Sequence, residues 1–72
     1  MYIVKVGNMY LEDIDTSEYS SENEFIRHIE LTFVEKNAKK FEEYVAKGIA
    51  TKIYLVLGAK CEIIQYIEPI EV

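Results

Sequence analysis

Asp13, Asp15, Ser17, Tyr19, Ser21 and Glu24 fall at positions 1, 3, 5, 7, 9 and 12 of a calcium-loop spacing, oxygen donors of the kind a hard cation takes. Two features argue against the loop. Its sixth position, which needs glycine for a sharp turn, holds Glu18, and the residues before it alternate like a strand where a helix should stand. The segment reads as a solvated acidic stretch, and no metal or cofactor is expected.

Other chemistry-bearing residues are equally isolated. Glu12/Asp13 and Glu42/Glu43 are adjacent acids, but neighbours on a strand point to opposite faces and neighbours on a helix diverge by about 100°. His28 is the only histidine and has no serine or cysteine at a nucleophile spacing; it reads as a surface residue beside Arg27. Cys61, the only cysteine, follows Gly58-Ala59-Lys60 and reads as a half-buried strand residue. With one cysteine there is no intramolecular disulfide and no Cys/His cluster for zinc. Neither Lys47-Gly48 nor Gly58-Ala59-Lys60 has the glycines and hydroxyl of a phosphate loop. No nucleophile, base and oxyanion set assembles, so the expectation is a protein that is not an enzyme.

Charge carries more information. Between Leu11 and Glu35 there are eight acids (Glu12, Asp13, Asp15, Glu18, Glu22, Glu24, Glu30, Glu35) against Arg27 alone. From Lys36 to Lys60 the sign reverses, with six lysines against Glu42 and Glu43. Lysines 36, 39, 40, 47, 52 and 60, interleaved with Tyr44 and Tyr54, outline a basic stripe. The formal net charge of −5 opposes direct contact with nucleic acid or an anionic membrane. An acidic arm instead suits a basic protein surface. Carboxylates at Glu12, Asp13, Asp15, Glu18, Glu22 and Glu24, with Tyr10 and Tyr19 as anchors, imitate a row of phosphates. The plainer reading is a solvated segment that guards a sheet edge from aggregation.

These residues need a scaffold, and 72 of them make one domain, residues 1–72. Half are apolar, enough for one core. The opening residues, Met1 to Val6, lack the apolar core of a signal peptide, and no apolar run approaches the roughly 20 residues that span a bilayer. A soluble, cytoplasmic protein is expected. Tyr2 to Val6 reads as a strand, Gly7-Asn8 as a two-residue hairpin turn and Met9 to Ile14 as the return strand, with imperfect alternation. Asp15 to Asn23 reads as a loop. Ser21 and Glu24 form a capping box that predicts a helical turn through Phe25 and Ile26. Strict alternation predicts a third strand over roughly His28 to Glu35, although Phe25, Ile29 and Phe33 also share a helical spacing. Phe41 is a core anchor.

Val45, Ile49, Ile53 and Val56/Leu57 predict a helix from Glu42 to a stop at Gly58. Gly48 lies inside it, marking either a close approach by a neighbour or a weakened helix. Cys61 to Ile67 is the last strand, limited by Pro69. The fold class is α+β: a small three- to four-stranded, mostly antiparallel sheet with one helix on one face. A right-handed crossover predicts a last strand parallel to another strand.

The opening Tyr2-Ile-Val-Lys-Val-Gly-Asn-Met-Tyr-Leu11, then Ala38-Lys-Lys-Phe41, a helix, and Leu57-Gly-Ala-Lys-Cys-Glu-Ile-Ile64 resemble a group of small uncharacterised proteins encoded by phages and prophages of Gram-positive bacteria. The resemblance covers most of the chain in outline, departs from the group after Asp15, and transfers no catalytic residue. It implies an accessory protein acting inside a bacterial cell. The combined expectation is a non-enzymatic protein that binds a basic surface of a host protein, such as a nucleic-acid-handling or defence enzyme, and inhibits or redirects it. The competing expectation is a homo-oligomeric module pairing through the strand at Cys61 to Ile67.

Overall fold

The computed structural model describes residues 1–18 and 24–68. Four strands, β1 (Tyr2–Val6), β2 (Met9–Glu18), β3 (Glu24–Thr32) and β4 (Cys61–Gln65), form one antiparallel sheet in the order β3-β2-β1-β4. A single helix, α1 (Glu43–Leu57), crosses one face. The expected small α+β architecture is present. The last strand differs from expectation. β4 lies antiparallel to β1, pairing Val6 with Cys61 and Tyr2 with Gln65. The chain after β3 first runs back along the sheet through residues 33–42, so α1 returns to the end where β3 finished, and β4 descends from there.

The β1–β2 hairpin turns on Gly7 and Asn8. Gly7 has φ +64° and Asn8 stays out of the left-handed region, the signature of a II′ turn with glycine first. β1 and β2 then stay paired for only two residues each, Val6 with Met9 and Lys5 with Tyr10. Beyond that the gap between them is filled by an extended segment. Lys39 N–H donates to the Leu11 carbonyl at 2.9 Å, and Phe41 exchanges backbone bonds with Tyr2 at 2.7 and 2.8 Å. Phe41 thereby enters the core, as its apolar bulk predicted.

β2 continues past β1 and pairs with β3 along its length, from Tyr10 opposite Thr32 to Glu18 opposite Glu24. Asp15 to Glu18 are therefore strand where a loop was expected, and Glu24 to Ile26 are strand where a helical turn was expected. Ser21, the first half of the capping box, lies outside the described residues. β-branched and aromatic residues at Thr16, Phe25, Ile26 and Ile29 favour a strand once a partner is in register. Two compensating bulges explain the imperfect alternation. Glu12 is the extra residue on β2 and Arg27 the extra residue on β3. The first bulge brings Ile14 to the face that Leu11 occupies, and the second brings Ile26 to the face of Ile29. Leu11 is fully buried and Ile14, Ile26, Ile29 and Leu31 pack half-buried against the core.

That core joins Val4, Leu11, Phe41, Ala46 and Ile53. On the other face of β1, Ile3 is also fully buried, opposite Ile64 of β4. In α1 the buried positions are Ala46 and Ile53, while Val56 and Leu57 are 40% and 53% exposed. The expected apolar stripe is thus one turn too long, because the last turn of α1 leaves its large side chains in solvent. Gly58 ends it in the left-handed conformation, φ +71°, with its N–H on the Tyr54 carbonyl. A Cβ at Gly48 would meet nothing within 4 Å among the described residues, so none of the described elements approaches there. Truncating Ile53 to alanine should therefore lose about 2–5 kcal/mol in chemical denaturation, and Leu57→Ala less than about 0.5 kcal/mol.

Candidate functional site

The β2–β3 ribbon carries the molecule's charge imbalance. From Met9 to Thr32 there are seven acids against Arg27, while the rest of the chain holds six acids and seven bases. The net negative charge of the protein is thus concentrated on one element. The ribbon extends past β1, and the principal extents of the chain are 48 × 21 × 17 Å.

Its outward face follows from the register. Asp13 stands opposite Glu30 and Asp15 opposite His28, all four exposed. Like charges directly across a ladder repel, and each of the two acids has a basic side chain beside it, that of His28 charged only when protonated. Lys39 Nζ donates to Asp13 Oδ1 at 3.4 Å, and His28 Nε2 lies 2.9 Å from Glu30 Oε1. Both pairs are in water and contribute little stability. The Glu30 hydrogen bond, with further pull from the charges of Glu30, Asp13 and Asp15, raises the His28 pKa above its ordinary value. Glu12, the bulge residue, is also exposed. At the far end the backbone register sets Glu18 opposite Glu24.

Of the eight residues expected to form the binding site, Glu12, Asp13 and Asp15 lie together along the middle of the ribbon. Glu18 and Glu24 are cross-strand partners at its end, and Tyr19 and Glu22 lie outside the described residues. Tyr10 is half-buried at the root of the ribbon, opposite Lys5 and Thr32. It stands eight strand residues from Glu18, about 26 Å along the strand. His28 and Glu30 join the same face as Asp13 and Asp15, a grouping that only the bulged register reveals. The calcium-loop spacing is laid out straight, because Asp13, Asp15 and Ser17 lie on an extended strand. No group of three or more potential metal ligands occurs among the described residues.

The lysines disperse. Lys39 serves Asp13, Lys47 pairs with Glu43 at 2.9 Å, and Lys40 donates to the Lys36 carbonyl and lies 4.6 Å from the Tyr66 ring centroid. Hydrogen bonds from Lys47 first, then Tyr2, hold the Glu43 carboxyl below its ordinary pKa, while Glu43 raises both partners. Cys61 is half-buried as expected, with its Sγ 3.8 Å from the Ala59 carbonyl, and burial pushes its thiol pKa up, away from a reactive thiolate. β4 is an edge of the sheet, which is the position the strand-pairing reading requires. Among the described residues no helix is long and apolar enough to cross a membrane. No protein-family model, curated protein or solved structure matches the chain.

An NMR titration should place the His28 midpoint above the ordinary value of about 6.5, and Glu30→Gln should lower it. Because folding raises this pKa, the stabilisation is fully present below about pH 6.5 and is lost as pH rises through the folded value. An unchanged midpoint in Glu30→Gln would contradict the assignment.

Proposed function

We propose that this is a non-enzymatic, phage-type accessory protein whose acidic ribbon docks on a basic surface of a host protein and inhibits or redirects it. The concentration of the net charge on a ribbon that outreaches the sheet supports this reading. Residues on one face of a strand recur every 6–7 Å or so, so Asp13 and Asp15 present carboxylates in a row. Across the ladder, Glu30 adds a third. Glu12 stands at the bulge beside Asp13, and Glu18, Glu22 and Glu24 complete the proposed acidic surface, with Tyr19 as its aromatic anchor. A basic partner would offset the ribbon's net negative charge, which gives binding an electrostatic gain. The resemblance to phage and prophage proteins supplies the setting, the interior of a bacterial cell. A host enzyme that grips nucleic acid has the kind of basic groove such a ribbon fits.

A second reading rests on β4. An edge strand of five residues can add a strand from another copy, with affinity from backbone hydrogen bonds. Salt separates the two, because a carboxylate-driven complex weakens as ionic strength rises and an edge-paired one does not.

Immobilised protein should retain one dominant partner from a nuclease-treated Gram-positive lysate and release it at moderate salt. Glu12→Lys with Asp15→Lys, both exposed and outside the core, should retain at least tenfold less with an unchanged circular dichroism spectrum. Equal retention by the variant, or retention that survives about 1 M salt, would overturn the proposal.

A further inference from the structure

The solvent pole of α1 exposes two large hydrophobic side chains, Tyr44 and Leu55, with small residues between them. At 100° per residue, Tyr44, Gly48, Thr51 and Leu55 fall within one narrow stripe, directly opposite the buried Ala46 and Ile53. Tyr44 is 74% and Leu55 72% exposed, and Gly48 between them has no neighbour within 4 Å of a built Cβ. A mid-helix glycine weakens the helix, and none of the described residues uses the space it opens. The spacing of four, three and four is that of a coiled-coil seam, and it is palindromic in size: large, small, small, large.

We infer that this face docks a second copy of the chain, helix against helix, antiparallel about a twofold axis between Gly48 and Thr51. That axis sets Gly48 against Thr51 of the other copy, where small side chains let the backbones approach. It sets Tyr44 against the other copy's Leu55 at both ends, so one patch is its own complement. The flanks are compatible in charge. On one side Tyr54, 52% exposed, comes beside Lys47 and Glu43 of the other copy, offering its ring to the ammonium and its hydroxyl to the carboxylate. On the other, Lys52 lies along Val45, and no two lysines are brought face to face. The antiparallel arrangement also lays the negative end of each helix, whose last turn has no basic residue, beside the positive end of the other. The stripe and its flanks offer roughly 500 Å² per copy, against roughly 800 Å² in a standard interface. The dimer is accordingly weak and concentration-dependent. It leaves the acidic ribbon free and does not rest on the proposal for that element.

Sedimentation equilibrium on the full chain from about 10 μM to about 1 mM tests this. The average mass should climb from 8.4 kDa toward twice that value and should not fall at high salt. Gly48→Lys should remain monomeric throughout, with a melting temperature at least equal to that of the original chain, because lysine favours helix and its Cβ meets nothing. A protein that stays at 8.4 kDa at the highest concentration would overturn the inference. So would Gly48→Lys associating as strongly as the original chain, or dilution-dependent amide shifts falling on Cys61–Gln65 instead of the stripe.

Discussion

Three backbone hydrogen bonds decide the shape of this protein. Lys39 N–H to the Leu11 carbonyl, and the reciprocal pair between Tyr2 and Phe41, fit an extended segment into the sheet where β1 and β2 would otherwise continue as a hairpin. Buried ladder groups need partners, and here one short stretch satisfies the facing edges of two strands. Released from β1 after two residue pairs, β2 takes β3 with it as a two-stranded ribbon. The same insertion delivers Phe41 to the core and sets the starting point of α1 two residues later. The bulge at Glu12 lies one residue beyond the Leu11 contact, where β2 bends out of the ladder and its side chains change phase.

The separation that results is electrical as well as geometric. The body of the molecule is nearly neutral, and the ribbon carries the net negative charge. Within the ribbon the described inner-face residues are aliphatic and pack on the core, while the outer face holds carboxylates, two of them paired with Lys39 and His28. Such an element carries a negative potential that reaches about a Debye length, roughly 8 Å at physiological salt. Charged side chains on an edge strand also discourage edge-to-edge aggregation; β3 carries Arg27, His28 and Glu30, whereas β4 carries Glu62 alone. The exposed stripe of α1, opposite its buried Ala46 and Ile53, lies apart from the ribbon's acidic face.

Much of the fold was legible in the residues. Gly7-Asn8 between two β-branched runs, the four-residue spacing from Val45 to Ile53, Gly58 after it, and the short strand at Cys61 each have a local cause, and each appears in place. The boundaries that failed have non-local causes. Asp15 to Glu18 carry almost nothing apolar, so only pairing with Glu24 to Ile26 makes them strand. Ser21 and Glu24 satisfy a local capping rule that the ladder overrides at Glu24. The antiparallel β4 depends on the return path through residues 33–42, which no periodicity announces. For the site, the acids were visible as composition, but the grouping of Asp13, Asp15, His28 and Glu30 on one face depends on two bulges that shift the register by one and then restore it.

Native-state hydrogen exchange at Tyr2, Lys39 and Phe41 tests the central constraint most directly. If the inserted segment sets the architecture, these three amides exchange as slowly as those of Val4 and Ile53, through global unfolding alone. If they exchange as fast as exposed loop amides while β1 and β4 stay protected, the insertion is peripheral, and the ribbon owes its projection to something else.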